Sequence, residues 1–293
     1  MRLAVIGAGL IGASAAAALR AAGRASHVTG FDRDERALAQ GLALGVLDRA
    51  AAGVAQAVAD ADLVLLAVPV GAMRAVLREV AAAAPARAIV TDVGSTKASV
   101  IAAARAELAS ASGPGFARFV PAHPIAGGEL PGIEHADAAL FRGRRLITTP
   151  VAETDAGALA TVEALWRATG AEVTRMSADE HDRIFAAVSH LPHLLAFALV
   201  AQIAAAPDAQ RMLGFAGAGF RDFTRIAASC PVMWRDIALA NQSALSAALA
   251  GHRRLLDELQ RALDAGDGEG LAQVFELASR TKRALPRRVD EGE

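Results

Sequence analysis

Short apolar runs and stretches of helical spacing alternate through the first half of the chain. Leu3–Ile6, His27–Phe31, Leu63–Val68, Ala88–Val93, Arg118–Ala122, Arg145–Thr148 and Glu172–Met176 are each four to six residues long and rich in strand-favouring side chains. Leu10–Ala22, Arg33–Leu44, Gly71–Ala83 and Lys97–Leu108 lie between several of them with helical periodicity. This alternation predicts a parallel sheet covered by helices. Gly23 follows the first helix, where a left-handed C-cap is expected. After Met176 the strand signal stops. Ser177-Ala178-Asp179-Glu180 has the form of a capping box, and helical spacing continues to the end, broken near Pro207 and around Gly214–Gly219. Two domains are therefore expected: an α/β domain over 1–176 and an all-α domain over 177–293. The helix after Pro192 is apolar on most of its circumference, through Leu194, Leu195, Phe197, Leu199, Val200 and Ile203. A helix of that kind is buried on several sides. A helical domain of 117 residues buries it more easily against a second copy, so a homodimer is expected.

Composition narrows the classes. The chain has 293 residues, 54% hydrophobic and 21% charged, which suits a globular protein with a sizeable core. A net charge of −1 argues against a nucleic-acid partner. Cys230 stands alone, so no internal disulfide forms and a reducing cytoplasm is expected. Met1 runs almost directly into the first strand, with no export-signal pattern. The longest apolar stretch, Leu191–Ala206, is interrupted by Pro192, His193 and Gln202. It falls short of the roughly 20 residues that span a bilayer, so a buried helix is expected and no membrane. The chain has no tyrosine, which excludes dehydrogenases built on a catalytic Tyr with a nearby Lys, and its only lysines are Lys97 and Lys282.

Gly7-Ala8-Gly9-Leu10-Ile11-Gly12 fits G-x-G-x-x-G directly after a strand and at the opening of a helix. Gly7 permits the tight turn, Gly9 lets the backbone approach a pyrophosphate, and Gly12 allows close helix–strand packing. The helix N-terminus, at Leu10 and Ile11, stabilises the phosphate charge. Alone the motif is a weak signal, and a tight turn with a helix-capping Asp is the bland reading. Asp32, twenty residues past Gly12, strengthens it, because a carboxylate at the end of the second strand accepts hydrogen bonds from adenosine ribose hydroxyls. That carboxylate repels a 2′-phosphate, so NAD is expected over NADP, with the adjacent Arg33 offsetting part of the repulsion. The first domain is thus a Rossmann-type dinucleotide-binding fold.

Three further segments carry a resemblance. Asp92-Val93-Gly94-Ser95-Thr96-Lys97, His123-Pro124-Ile125-Ala126-Gly127-Gly128-Glu129 and Ser189-His190-Leu191-Pro192-His193 resemble the ordered signatures of prephenate and arogenate dehydrogenases. Phe220–Ile226, leading to Met233-Trp234-Arg235-Asp236, is similar to that family's C-terminal motif. The resemblance implies NAD-dependent oxidative decarboxylation of prephenate or arogenate, the redox step toward tyrosine. In that reaction hydride leaves C4 of the substrate ring, the C4 hydroxyl proton goes to a base, and the C1 carboxylate departs as carbon dioxide. An imidazole is a natural base near neutral pH.

By resemblance His123 is that base, and Ser95 hydrogen-bonds the same hydroxyl and orients His123. Arg225 contacts the substrate carboxylate, since a guanidinium is always charged and binds in bidentate fashion. Arg235 is a second candidate, or the partner of Asp236 or Asp222 in an ion pair. His193 binds substrate, with His190 and Ser189 beside it, and Glu129 acts as a gate or as a pair for Arg225. His190 and His193 lie three apart on one helix face, and Pro192 between them is expected to kink the helix and aim both rings into a cleft. The bland readings are a structural histidine in a Pro-bounded turn for His123, an N-cap for Ser95, a solvated arginine, a packed histidine pair and an ordinary loop carboxylate. No metal is expected, because neither Cys nor carboxylate supplies a ligand pattern. Gly128 stands where relatives often carry Ser or Thr, which leaves substrate choice and tyrosine inhibition open.

Two rivals remain. A β-hydroxyacid dehydrogenase uses a lysine in a helix of its second half, and here that half holds only Lys282, in the charged tail. A dinucleotide-sensing regulator without turnover has no use for Ser95, His123 and Arg225 together. The chain is expected to be a stand-alone enzyme, without a mutase domain before it or a regulatory domain after it.

Overall fold

The computed structural model describes residues 1–109, 113–127, 130 and 132–285. The chain begins β1 (Arg2–Ile6), α1 (Leu10–Ala21), β2 (His27–Phe31), α2 (Glu35–Ala43), β3 (Arg49–Ala50), α3 (Val54–Val58), β4 (Leu63–Leu66) and α4 (Met73–Ala83). It continues through β5 (Ile89–Asp92), α5 (Ala98–Glu107), β6 (Phe119–Val120), β7 (Ala122–Pro124), β8 (Arg145–Thr148), α6 (Ala156–Ala168) and β9 (Glu172–Arg175). Helices follow: α7 (Ala178–Phe185), α8 (Leu191–Ala204), α9 (Ala209–Gly214), α10 (Ala218–Thr224), α11 (Pro231–Ala240), α12 (Gln242–Ala265) and α13 (Gly268–Ala284).

Six parallel strands form the main sheet in the order β3-β2-β1-β4-β5-β6. Both faces are covered, and the strands alternate between two cores. Leu3, Val5, Leu63 and Leu65 face α1 and α6, with Trp166 and Phe141 in the same layer. Ala4, Ile6, Val64 and Leu66 face the layer of α3, α4 and α5, where Leu77 and Val80 are fully buried. Period-two alternation with two buried faces explains why these strands read as continuous apolar runs. Full burial of each such leucine or valine contributes about 1.5–3 kcal/mol. Gly23 closes α1 at φ +68°, as its position predicts. The chain leaves β1 in one direction, reaches β3, and returns to the other side of β1 at β4, so a crevice opens at the carboxyl ends of β1 and β4.

Two differences from the sequence reading shape the site. The run Arg118–Ala122 is not one strand. Phe119 and Val120 close the main sheet, and beyond Pro121 the chain enters a second sheet in which β7 runs antiparallel to β8 and β8 parallel to β9. Pro121 has no N–H for a ladder, so it suits the corner between sheets. That corner carries His123 past the end of the main sheet. The second is that α8, expected to be buried more easily against a second copy, buries only Ala196 fully within the single chain. The continuous helical stretch Ala178–Ala204 has a mean hydropathy of 1.9 and is, among the described residues, the one helix long and apolar enough to cross a membrane by length and composition. Its large apolar residues Leu194, Leu195, Phe197, Leu199, Val200 and Ile203 are only half-buried.

By compactness the chain divides into Met1–Ala244 and Leu245–Glu293. The first unit includes α7 to α11, which are held to the sheet layer partly because backbone N–H groups of Lys97 and Ala98 donate to Asp182 at 2.8 and 2.9 Å. The second consists of most of α12 together with α13, which Asp267 caps by accepting from the Gly270 N–H.

Candidate active site

The glycine turn is fixed by close approach. Gly7 sits at φ +100°, and a Cβ there would lie 2.4 Å from the carbonyl oxygen of Ala67, so only glycine makes this turn beside β4. At Gly12 a Cβ would meet the Gly7 carbonyl at 2.1 Å, which holds α1 tight against the strand ends. Gly9 differs: a Cβ there would meet nothing within 4 Å, so its side of the turn is open to a ligand. Gly9 is the N-cap of α1, with no side-chain cap and no acid in the first turn. The N–H groups of Leu10, Ile11 and Gly12 therefore remain for an anion. Asp32 braces the turn from the end of β2, accepting from the N–H of Ala8 at 2.8 Å and of Asp34 at 2.9 Å. Each carboxylate oxygen keeps a lone pair for ribose hydroxyls. Arg33 is exposed beside it. This cradle fits a dinucleotide.

At the carboxyl ends of β5 and β7 lies a second assembly. Lys97 and Asp92 are both fully buried and paired, the ammonium donating to Asp92 Oδ2 at 2.5 Å and to the Ala122 carbonyl at 2.6 Å. The other oxygen of Asp92 accepts from the Ala122 N–H at 3.1 Å. Lysine and aspartate thereby clamp the residue immediately before His123. Burial pulls the Lys97 pKa down while Asp92 and Asp182 oppose it. His123 is half-buried, and its ring lies 5.0 Å from the ring of Phe185. Its Nδ1 is 2.8 Å from His181 Nε2, and His181 Nδ1 is 2.8 Å from Asp182 Oδ1. Burial, the Lys97 charge and the neighbouring His181 and His190 hold the His123 imidazole well below the usual histidine range, so it is neutral at physiological pH.

The helical segments bring a third group. Residues 186–190 form a π-helical turn between α7 and α8, with Pro192 in the first turn of α8. Pro192 thus stands just after the widened turn, where its missing N–H removes one donor from the ladder. His190 is 2% exposed, and burial first, then His181 and His193, push its pKa down to about 4. Asn241, at the end of α11, uses its amide to donate to the Asp182 carbonyl at 2.8 Å and to His190 Nδ1 at 3.1 Å. The His190 proton then sits on Nε2, a buried donor with no partner among the described residues, as is Trp234 Nε1. Both are suited to oxygen atoms of a ligand. His193 stacks on Trp234 with ring centroids 3.5 Å apart and donates from Nδ1 to the Ser189 carbonyl at 2.9 Å. Burial and the Arg225 charge lower the His193 pKa.

Several expectations need restating. The orienting contact expected of Ser95 is made by His181 instead: Ser95 is half-buried in the loop after β5 and has no hydrogen bond to His123. Arg235 adopts the ion-pair alternative, donating to Asp236 Oδ1 at 2.7 and 2.8 Å, with its side chain 63% exposed. Ser189 contributes its backbone carbonyl to His193. Glu129 and Gly128 lie outside the described residues. Among the described residues no group of three His, Cys, Asp or Glu side chains is placed to hold a metal. His181, Asp182, Asn241 and the Lys97–Asp92 pair were missed by sequence reasoning. The one signal for His181 and Asp182 was their place in the first turns after the Ser177 cap; nothing local distinguishes Asn241.

Residues 15–175 match the prephenate dehydrogenase nucleotide-binding domain, and residues 177–277 the prephenate dehydrogenase dimerization domain. The cyclohexadienyl dehydrogenase of Zymomonas mobilis is 36% identical over 285 residues, covering 97% of this chain and 95% of the relative. The crystal structure of prephenate dehydrogenase from A. aeolicus in complex with hydroxyphenyl propionate and NAD+ matches with a TM-score of 0.88 at 32% identity, covering 97% of this chain and 98% of that one. Arogenate dehydrogenase from Synechocystis matches with a TM-score of 0.79 at 26% identity, over 97% and 99% of the two chains.

Proposed function

Because the chain belongs to the prephenate dehydrogenase family, we propose that it oxidatively decarboxylates prephenate, arogenate or both, with NAD as the acceptor, in the cytoplasmic synthesis of tyrosine. The bound dinucleotide supplies the hydride acceptor. Gly7, Gly9 and Gly12 and the free N–H groups of Leu10 and Ile11 hold its pyrophosphate, and Asp32, with Arg33 beside it, selects the unphosphorylated ribose. His123 takes the proton of the C4 hydroxyl as hydride leaves. The single observation that carries the reading is the placement of His123, directly after the Ala122 that Lys97 and Asp92 clamp and 2.8 Å from His181 through Nδ1; burial, which holds its pKa down, favours the neutral ring that a base needs. Ser95, in the loop after β5, hydrogen-bonds the same hydroxyl. Arg225 pairs with the substrate carboxylate, His193 and Ser189 border it, and the buried His190 Nε2–H donates to a substrate oxygen. Arg235 is left out of this set because Asp236 holds it. Glu129 acts as a gate or as a pair for Arg225.

We assign cofactor binding to residues 1–176, and substrate binding and dimerisation to 177–293. The family's dimerization domain gives the half-exposed girdle of α8 its cover in a homodimer. Steady-state kcat/KM for prephenate and arogenate, each with NAD and NADP, tests the proposal. Turnover of at least one substrate with NAD preferred is expected; turnover of neither, or an NADP preference, overturns it.

A further inference from the structure

The contacts around His123 determine more than where its ring lies. Asp182 Oδ1 accepts from the Lys97 N–H and Oδ2 from the Ala98 N–H, at 2.8 and 2.9 Å. Burial acts to raise the Asp182 pKa, but hydrogen bonds from His181 and from these two N–H groups outweigh it and hold the carboxyl below its usual range. An ionised carboxylate only accepts. The 2.8 Å contact with His181 therefore requires a proton on His181 Nδ1. His181 is fully buried, and burial lowers its pKa, so the ring is neutral and carries that one proton. Its Nε2 is then an acceptor, and the 2.8 Å contact to His123 Nδ1 is satisfied only if His123 donates from Nδ1. The lone pair of His123 is left on Nε2.

Resting on the reading of His123 as the base, we infer that His181 and Asp182 are positioning residues that fix the His123 proton on Nδ1 and so assign proton acceptance to Nε2. In the reaction the substrate O–H bond breaks and an Nε2–H bond forms. Nδ1–H stays where it was, the imidazole becomes an imidazolium, and no second proton moves along the chain. The groups around the ring are Lys97 from the loop before α5, Asp92 from β5, His190 from the π-helical turn and Phe185 from α7. None of them fixes the tautomer. A wrong tautomer is costly even where geometry survives, because the nitrogen facing the substrate then carries a hydrogen instead of a lone pair.

Imidazole ¹⁵N chemical shifts of the whole protein test this directly, with the His123 signals assigned by their loss in His123→Asn. At pH 7 the wild type is expected to show His123 with a protonated Nδ1 and a pyridine-like Nε2. The reverse tautomer or an even mixture overturns the proposal, and this needs no variant of His181 to fold. His181→Leu removes the acceptor. It should mix the His123 tautomers and lower kcat by about 10–100-fold at little changed KM, less than the loss of the base itself. His181→Gln keeps an acceptor at the far end of the side chain and should recover the tautomer and most of kcat. A His181→Leu enzyme with wild-type tautomer and kcat overturns the inference. If instead His123→Asn keeps the wild-type rate, it is the base reading that falls, while the ¹⁵N shifts still report the tautomer.

Discussion

The glycine turn and the histidine cluster flank the same crevice, yet they are assembled from very different stretches of chain. The turn uses Gly7 to Gly12 and one carboxylate 24 residues from the N–H it receives. Its parts are backbone groups, and its geometry is set by where a Cβ does not fit. The cluster joins Lys97 to Asp182 across 85 residues and His123 to His181 across 58, and its parts are buried charges and imidazoles. A backbone cradle tolerates a range of ligand conditions because its donors do not titrate. The cluster's properties are collective: each pKa there depends on groups contributed by other elements, so one substitution redistributes protons and charge among the rest.

The largest effect expected from this contrast is at Lys97. Lys97→Met leaves Asp92 buried without its counter-charge, and breaking a buried pair in this way costs about 3–5 kcal/mol. Urea denaturation should show the loss as a lower midpoint. A midpoint within experimental error of wild type would mean that the clamp on Ala122 is not what holds this end of the crevice.

His123→Asn comes next. NAD affinity should stay within about twofold by fluorescence titration, since the turn and Asp32 are untouched, while kcat falls by about 10²–10⁴-fold. The base works deprotonated, so wild-type kcat/KM is retained above the His123 pKa and lost as pH falls through it. Because that pKa is well below 6.5, the acid limb should lie below the ordinary histidine range, and the variant should lack it. A limb at pH 6.5 in the wild type would contradict the burial and charge environment described above.

A smaller effect is expected at Arg225. Arg225→Gln keeps much of the size and removes the charge, so KM should rise by about 10-fold or more with kcat less affected. An unchanged KM would move the carboxylate contact elsewhere. The smallest concerns the turn itself: Asp32→Ser should weaken NAD use several-fold and narrow the gap to NADP, leaving kcat with saturating NAD nearly unchanged. A large fall in saturated kcat would show that the two sides of the crevice are not as separable as their construction suggests.

Much of this protein was legible one segment at a time. The apolar runs announced β1, β2, β4 and β5, G-x-G-x-x-G announced the turn, Ser177 announced the start of α7, and the ordered motifs announced the family. These are local signals, decided by side-chain period, by which residues tolerate a conformation, and by capping. The two-residue β3 has too short a pattern to detect, and the division at Pro121 was hidden because apolar residues on both sides read as one strand.

What only the tertiary structure decided is the company each chemical group keeps. The sequence by itself determined that His123, Ser95 and Arg225 are present behind a dinucleotide fingerprint. It did not determine that His181 rather than Ser95 holds His123, that Arg235 is taken up by Asp236, or that Lys97 is buried against Asp92. Hydrogen bonding and desolvation depend on distance in space. A chain that brings residues 85 positions apart into contact leaves no periodic trace of that contact in its sequence.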